Sequence, residues 1–538
     1  MSPLRNATIQ ARLAGLAALL LFGACARAGL GVGGRDASSL PSLVVVITVD
    51  QLSSDYVARF DTTWTAGLRR LLDQGAVWTR GVHDHAITET APGHASILSG
   101  RFPASTGISS NSQGVNTRES PLLGSSDLGA SPFRFRGTTL VDWLKAADPS
   151  ARVLSVSRKD RGAILPVGTS RTDVYWYAPN GIFTTSTYYR DALPPWVQAF
   201  NAQNAPAQLA GREWSLLREA ARYRMPDTVS READGHDIVF PHRIPAAPEL
   251  AARRLPDYPV MDSLTLAFAL HGLQALELGN STRRTDLLSV SLSTTDAVGH
   301  RYGPESREIE DHLLRLDRYL GAFLDSLFAL RDPGRILIVL TSDHGVAPYP
   351  DLRSTYYANG EARRIELRRA TSWVRRRMFE DGVDSLAAEY DDGFRIVDAN
   401  AFRAAGRNPD DYAALWVREV RQLSGVMRAD LITDLTKADT LTDVIARRWL
   451  HMFRPGDAVR AVVTFTPFSY HAQVDYATHG SPHDYDARVP IVFWGVGISA
   501  GLRPGEARVV DIAPTIADHI RVRPQERLDG TVLPLSAP

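Results

Sequence analysis

LVVVITVDQ, residues 43–51, is a run of apolar and β-branched residues that ends on a carboxylate. A segment apolar at successive positions, and therefore on both faces, reads as a strand buried inside a parallel sheet with helices above and below. Two later segments repeat the arrangement. LLSVSLS (287–293) leads into TTDAVGH (294–300), and ILIVLT (336–341) leads into SDHG (342–345). In open α/β sheets, ligands bind just beyond the carboxyl ends of the strands. The acids and histidines after these runs should therefore gather at one sheet edge. THGSPHD (478–484) carries the same residue types further along the chain.

Working outward from these runs, strands alternate with helices. Helices are expected near 65–74, from about 91, and near 139–146, before a strand at RVLSVS (152–157). Ile309, Leu313, Leu316, Leu320, Phe323 and Leu327 fall at spacings of three and four, which predicts a one-faced helix over 305–330. That helix lies between two of the strands, as in a right-handed crossover unit. The fold class is thus α/β, a mostly parallel central sheet with helices on both faces, over residues 41–538. Residues 170–260, with Trp176, Trp196, Trp214 and many prolines, break the rhythm and read as an inserted cap. The stretch 350–475 is mixed and includes the strand AVRAVVTF (458–465). VPIVFWG (489–495) is a further buried strand, and VVDIAPTIADHI (509–520) a closing helix with Pro514 in its first turns.

Sixty basic residues balance sixty acidic ones, so no global field draws in nucleic acid, and an anionic substrate must be held by local charge. The N-terminus has Arg5 and Arg12, an apolar stretch from Leu13 to Ala24, and then Cys25-Ala26-Arg27-Ala28. That order is a secretory signal over residues 1–28, too short to span a bilayer. Two processing sites compete: a lipoprotein-type site at Cys25, which would anchor the protein, and cleavage after Ala28, which would free it. Residues 29–40 read as a flexible lead-in. The protein is expected in the periplasm, secreted or lipid-anchored, and as a monomer.

Asp and His without a thiolate are a donor set for zinc or a similar divalent ion. Asp296 and His300 are four apart and can share one ion; Asp343 and His344 are adjacent at a strand end; Asp50 closes the first strand; His479 precedes Gly480. In TETAPGHAS (88–96), Pro92 belongs in the first turn of a helix, which makes Thr90 the expected N-cap. A hydroxyl there sits at the positive end of the helix dipole, where phosphate binds and an alkoxide is less costly. Thr88 is the rival. Lys159 and Arg161, two apart past a strand, would face the same way in extended chain and suit a doubly charged phosphate.

These motifs resemble the alkaline phosphatase superfamily, from VDQ through PGHASILSGRFPASTGI to SDHG, THG and DIAPTIA…DG (511–517, 529–530). Within it the chain looks most similar to the bacterial PafA-type phosphatases, which share a Thr nucleophile with nucleotide pyrophosphatase/phosphodiesterases. The resemblance implies an alkaline-phosphatase-like fold and two Zn²⁺ ions, one held by Asp296, His300 and His479. The other would be held by Asp50, Asp343 and His344, with Thr90 completing its shell. It also implies that Asn111 contacts a phosphoryl oxygen and that Lys159 and Arg161 match the monoesterase Lys-x-Arg pair. His483 is a rival to His479, and His94 reads as a packing residue. The implied activity is hydrolysis of phosphate monoesters through a phosphothreonine. A phosphodiesterase or nucleotide pyrophosphatase is the alternative, and a catalytically silent metal-binding surface protein is a third. A sulfatase is excluded, because the Thr90 region has no C/S-x-P-x-R motif.

Overall fold

Strand β1 (Leu43–Val49) is fully buried, and its side chains divide by parity. Leu43, Val45, Ile47 and Val49 enter one hydrophobic core, and Val44 and Val46 enter another on the opposite face. This alternation is what two helical layers demand of a central strand. The structure is a computed structural model that describes residues 40–229, 232–348, 362–390, 393–471 and 477–536. The expected export segment 1–28, with Cys25, and most of the lead-in lie outside the described residues. Among the described residues no helix is long and apolar enough to cross a membrane.

The remaining strands are β2 (Ala76–Val82), β3 (Val153–Ser157), β4 (Asp173–Tyr177), β5 (Phe183–Thr184), β6 (Glu213–Trp214), β7 (His242–Arg243), β8 (Asp286–Leu292) and β9 (Ile336–Thr341). After them come β10 (Arg364–Ile365), β11 (Ala388–Tyr390), β12 (Phe394–Ile396), β13 (Val426–Leu431), β14 (Val459–Phe465), β15 (Tyr470–His471), β16 (Arg488–Gly495), β17 (Gly501–Leu502) and β18 (Ala507–Arg508). The main sheet runs β17-β2-β16-β9-β1-β8-β3-β4-β5, with β18 also on β2. Its middle, from β9 to β4, is parallel. β16 is antiparallel to both of its neighbours, and β5 is antiparallel to β4. Thr48 lies opposite both Ser291 and Thr341, so β1, β8 and β9 end level with one another.

One face is covered by the helices Gly67–Gln74, Val260–Ala275 and Arg307–Leu330, the other by Thr90–Ser99, Leu140–Ala147 and Ile512–His519. The long helix also orders its neighbour. Buried Asp317 accepts hydrogen bonds from the backbone N–H groups of Thr65, Ala66, Leu68 and Arg69, satisfying the free end of the helix Gly67–Gln74.

One expectation changes here, and one open question is answered. The stretch 170–260 does not begin as a cap: β4 lies beside β3 in the main sheet, and Trp176 and Trp214 are buried in the two main cores. The aromatic alternation of DVYWY is a short sheet strand. The strand 458–465, left open by its sequence, falls outside the main sheet as β14. It belongs to a separate antiparallel sheet, β11-β12-β14-β13. With the helices Arg368–Glu380 and Pro409–Val420 it encloses its own core around Val374, Phe394, Phe402 and Trp416.

Candidate active site

Thr90 opens the helix Thr90–Ser99 and is 1% exposed. It is the first helical residue; the N-cap is Glu89, which corrects the sequence expectation. Thr is the better cap by residue type, but here the Glu89 side chain is engaged elsewhere, accepting from Asn111 N at 2.7 Å. The Thr90 hydroxyl still stands in the first turn, at the positive end of the helix dipole. The helix lies hard against the end of β9. A Cβ on Gly93 would come within 2.3 Å of the Asp343 carbonyl oxygen, so only glycine permits this approach. The rival Thr88 spends its hydroxyl on the Ser481 carbonyl at 2.9 Å.

Around Thr90, two groups of side chains can hold metal ions. In the first, Asp296 and His300 lie one turn apart on the helix Thr294–Tyr302, and His479 joins them from the distant loop. His300 Nε2 is 3.1 Å from Asp296 Oδ1, His479 Nε2 is 3.5 Å from the same oxygen, and the two Nε2 atoms are 3.2 Å apart. Ligands on a tetrahedral zinc with bonds of about 2.0–2.1 Å are separated by roughly 3.3 Å. The other ring nitrogens are committed. His300 Nδ1 hydrogen-bonds the Ala477 carbonyl and His479 Nδ1 the Thr88 carbonyl, both at 2.8 Å. A donor proton on Nδ1 leaves a lone pair on Nε2, the tautomer that metal-binding histidines adopt. Burial and the neighbouring His344 push His479 down to about 4, so it stays neutral.

The second group is Asp50, Asp296 and His344. His344 Nε2 lies 3.3 Å from Asp50 Oδ1 and 3.7 Å from Asp343 Oδ2, while its Nδ1 hydrogen-bonds the Gly345 carbonyl at 2.9 Å. Asp296 thus borders both groups, and Asp343, expected as a ligand, stands slightly further out. All three carboxylates are buried. Burial opposes charge on His344, yet Asp343 and Asp50 outweigh it and lift the imidazole to about 9. Burial likewise opposes ionisation of Asp296, but Lys159 and His300 hold its carboxyl well below the usual range. So many buried anions demand cations. The ammonium of Lys159 answers this in part, 2.6 Å from Asp50 Oδ2, 2.6 Å from Asp296 Oδ2 and 3.2 Å from Thr90 Oγ1.

Asn111 accepts from Ala91 N at 2.9 Å through Oδ1, which sets its amide beside the helix Thr90–Ser99. Arg161 departs from expectation. The chain turns into the helix Asp160–Ile164 immediately after Lys159, so the two cations do not share an extended face. Arg161 is half-buried, 3.8 Å from Asp160. His483 bonds the Phe465 carbonyl and lies outside both groups. His94 does more than pack: its Nδ1 is 2.9 Å from the Thr90 carbonyl and 3.1 Å from Asp343 Oδ2.

Sequence reasoning missed Gln51. Its backbone has φ of 67°, its N–H donates to Asp343 Oδ1 at 3.1 Å, and its Nε2 donates to Asp296 Oδ1 at 2.9 Å. It ties the two strand ends together, and its place directly after Asp50 was the one available signal.

Over residues 44–414 the chain matches the family described as Type I phosphodiesterase / nucleotide pyrophosphatase, and it belongs to that family. It is 31% identical to alkaline phosphatase PhoK of Sphingomonas sp, over 93% of this chain and 92% of that protein. It is 29% identical to alkaline phosphatase PafA of Elizabethkingia meningoseptica, over 92% of this chain and 94% of that protein. Its α/β fold matches the crystal structure of wild-type alkaline phosphatase PafA with a TM-score of 0.83 at 26% identity, covering 92% of this chain and 98% of that one.

Proposed function

We propose that this chain is an exported phosphomonoesterase of the alkaline phosphatase type, holding two zinc ions and acting through a phosphothreonine at Thr90. The observation that carries the reading is a buried threonine hydroxyl, at a helix start, 3.2 Å from an ammonium that also touches two carboxylates of the donor groups. The activities named for the relatives PhoK and PafA point the same way.

Zinc bound by Asp296, His300 and His479, and by Asp50, Asp343 and His344, would supply Lewis-acid charge at the two ends of an in-line displacement. Thr90 Oγ1 attacks phosphorus as the bond to the leaving alcohol oxygen breaks, and the proton lost from Oγ1 is balanced by one gained by the departing alkoxide. The helix dipole and Lys159 favour the negative charge on Oγ1 during that attack. With Asp50 and Asp296 neutralised by metal, Lys159 is available to the transferring phosphoryl group, along with the Asn111 amide and Arg161. These groups act by position and charge, the main levers on phosphoryl transfer. Water then attacks the phosphothreonine, and Thr90 leaves with a proton restored to Oγ1.

The test is Thr90→Ala with its metal content measured. Turnover of an aryl phosphate should fall by roughly a thousandfold or more, and acid-quenched wild type should carry phosphate on Thr90. A metal-loaded Thr90→Ala enzyme with near wild-type turnover would sink the proposal. The family description favours a second reading, a phosphodiesterase. A diester carries one charge fewer and gains less from Lys159 and Arg161. Relative rates on an aryl phosphate and its methyl ester decide between the two. The N-terminal sequence supports export to the periplasm or medium, and palmitate labelling at Cys25 separates an anchored protein from a free one.

A further inference from the structure

A pocket of about 370 Å³ opens directly beside the site, within the size range of small-molecule sites. Glu89, the cap of the nucleophile helix, and His479, of the first donor group, form its inner end. Tyr390 and Phe465 reach it from the separate antiparallel module, and Tyr485 and Asp486 from the short helix Asp484–Ala487 that follows His479.

The aromatic walls are set before any ligand arrives. Tyr485 stacks on Phe468 at 4.2 Å and its hydroxyl accepts from Phe468 N at 2.8 Å. Tyr390 stacks on Trp416 at 5.5 Å, and the Trp416 indole donates to Thr371. Such surfaces bind flat rings by stacking and hold cations over their faces. The charge is one-sided. Glu89 and Asp486 contribute carboxyl groups, and neither Lys nor Arg stands among the described lining residues. Asp486 is 1% exposed, burial pushes it up to about 7, and one of its oxygens, Oδ2, is fixed by the Ser481 N–H and hydroxyl at 3.0 and 2.5 Å, so Glu89 is the stronger negative charge of the two. The Lys159 ammonium lies instead against Thr90, where a phosphoryl group belongs.

We infer that this pocket receives the alcohol half of the substrate and selects aromatic alcohols that are uncharged or cationic, disfavouring anionic ones. The inference rests on the phosphatase reading above. It assigns the module carrying β11 to β14 a role in choosing the substrate. A ring departing from phosphorus on the His479 side would lie between Tyr390, Phe465 and Tyr485, with a positive substituent toward Glu89 and Asp486.

The experiment compares kcat/KM on the zinc-loaded full chain for methyl phosphate, 2-phenylethyl phosphate, and the latter carrying a para trimethylammonium or sulfonate group. The substituents are remote from the reacting oxygen, so leaving-group acidity stays nearly constant. The phenylethyl ester should exceed methyl phosphate at least tenfold. The ammonium ester should equal or exceed the parent, and the sulfonate should fall at least fivefold below it. In Phe465→Ala, the phenylethyl-to-methyl ratio should drop at least fivefold. A sulfonate ester turned over as well as its parent, or no preference for phenylethyl over methyl, overturns the inference while leaving the phosphatase reading intact. If no monoester is hydrolysed, the phosphatase reading fails. Calorimetry with 2-(4-trimethylammoniophenyl)ethanol then decides for the pocket alone: saturable binding weakened by Phe465→Ala supports it, and no binding refutes it.

Discussion

The Nε2 atoms of His300 and His479 face each other at 3.2 Å, while each Nδ1 is committed to a main-chain carbonyl. Two imidazole lone pairs at that distance repel unless a cation or a proton lies between them. The low value of about 4 for His479 makes a proton the weaker answer near neutral pH. On the two-zinc reading proposed above, His479→Ala should therefore lose one bound metal ion per chain. Its kcat on an aryl phosphate should drop by at least about a hundredfold. Elemental analysis of dialysed protein checks the first point, and unchanged stoichiometry would remove His479 from the ligand set.

Lys159 holds together two buried carboxylates that otherwise repel, Asp50 and Asp296. Lys159→Ala should destabilise the metal-stripped protein by about 3 kcal/mol, the usual cost of leaving buried charge uncompensated. Saturating zinc should shrink that difference, because metal supplies the missing charge. Calorimetric melts of both proteins, with chelator and with zinc, measure this. The catalytic defect should be larger on a monoester than on its methyl diester. An equal loss on both substrates would detach Lys159 from monoester recognition.

Gly299 is the seat on which Gln51 rests. A Cβ there would lie 1.7 Å from Gln51 Oε1, so Gly299→Ala must displace the carboxamide that donates to Asp296. Asp296 borders both donor groups, so both should loosen. Metal affinity is expected to fall about 10- to 100-fold, the usual effect of losing a partner that orients a ligand. Competition with a chromophoric chelator gives the affinities. Gln51→Ala should shift them in the same direction, and wild-type affinity in both variants would reduce Gln51 to a packing role.

The parts of the site legible in the sequence were those in which a strand end and a donor residue are neighbours in the chain. Asp50, Asp296, Asp343 and His344 follow apolar runs, and a run buried on both faces stands out. What stayed hidden depended on chain direction or on partners far away. Residue type favours Thr90 as the cap, but the backbone leaves its extended form one residue earlier, at Glu89, whose side chain turns away to Asn111, twenty-two residues on. The spacing of Lys159 and Arg161 suggests one extended face, whereas a helix begins at Asp160. Strand β4 passed for part of a cap because five residues rich in aromatics, set among prolines, resemble neither a long apolar run nor a helix. The pocket draws on residues nearly four hundred positions apart, from Glu89 to Asp486, and no local pattern could announce it.

Glu232, in the turn packed against the helix Thr294–Tyr302, gives a pH test of stability in the metal-stripped protein. It is 1% exposed, and burial, reinforced by the Glu308 carboxylate, pushes it up to about 9 from an ordinary 4.5. The folded protein therefore keeps a proton on Glu232 at neutral pH, while the unfolded chain has released it. Between about pH 4.5 and 9 the folded state binds more protons, so this group makes stability fall as pH rises. Below 4.5 both states are protonated, and the group makes no difference. Glu232→Gln removes the charge without changing shape. Its advantage over wild type should grow from near zero at about pH 5 to about 2 kcal/mol at pH 8.5, a fraction of the full shift at about 1.4 kcal/mol per pKa unit. Urea unfolding of both proteins in chelator at the two pH values measures it. A constant difference across that range would place the ionisation of Glu232 near its unfolded value.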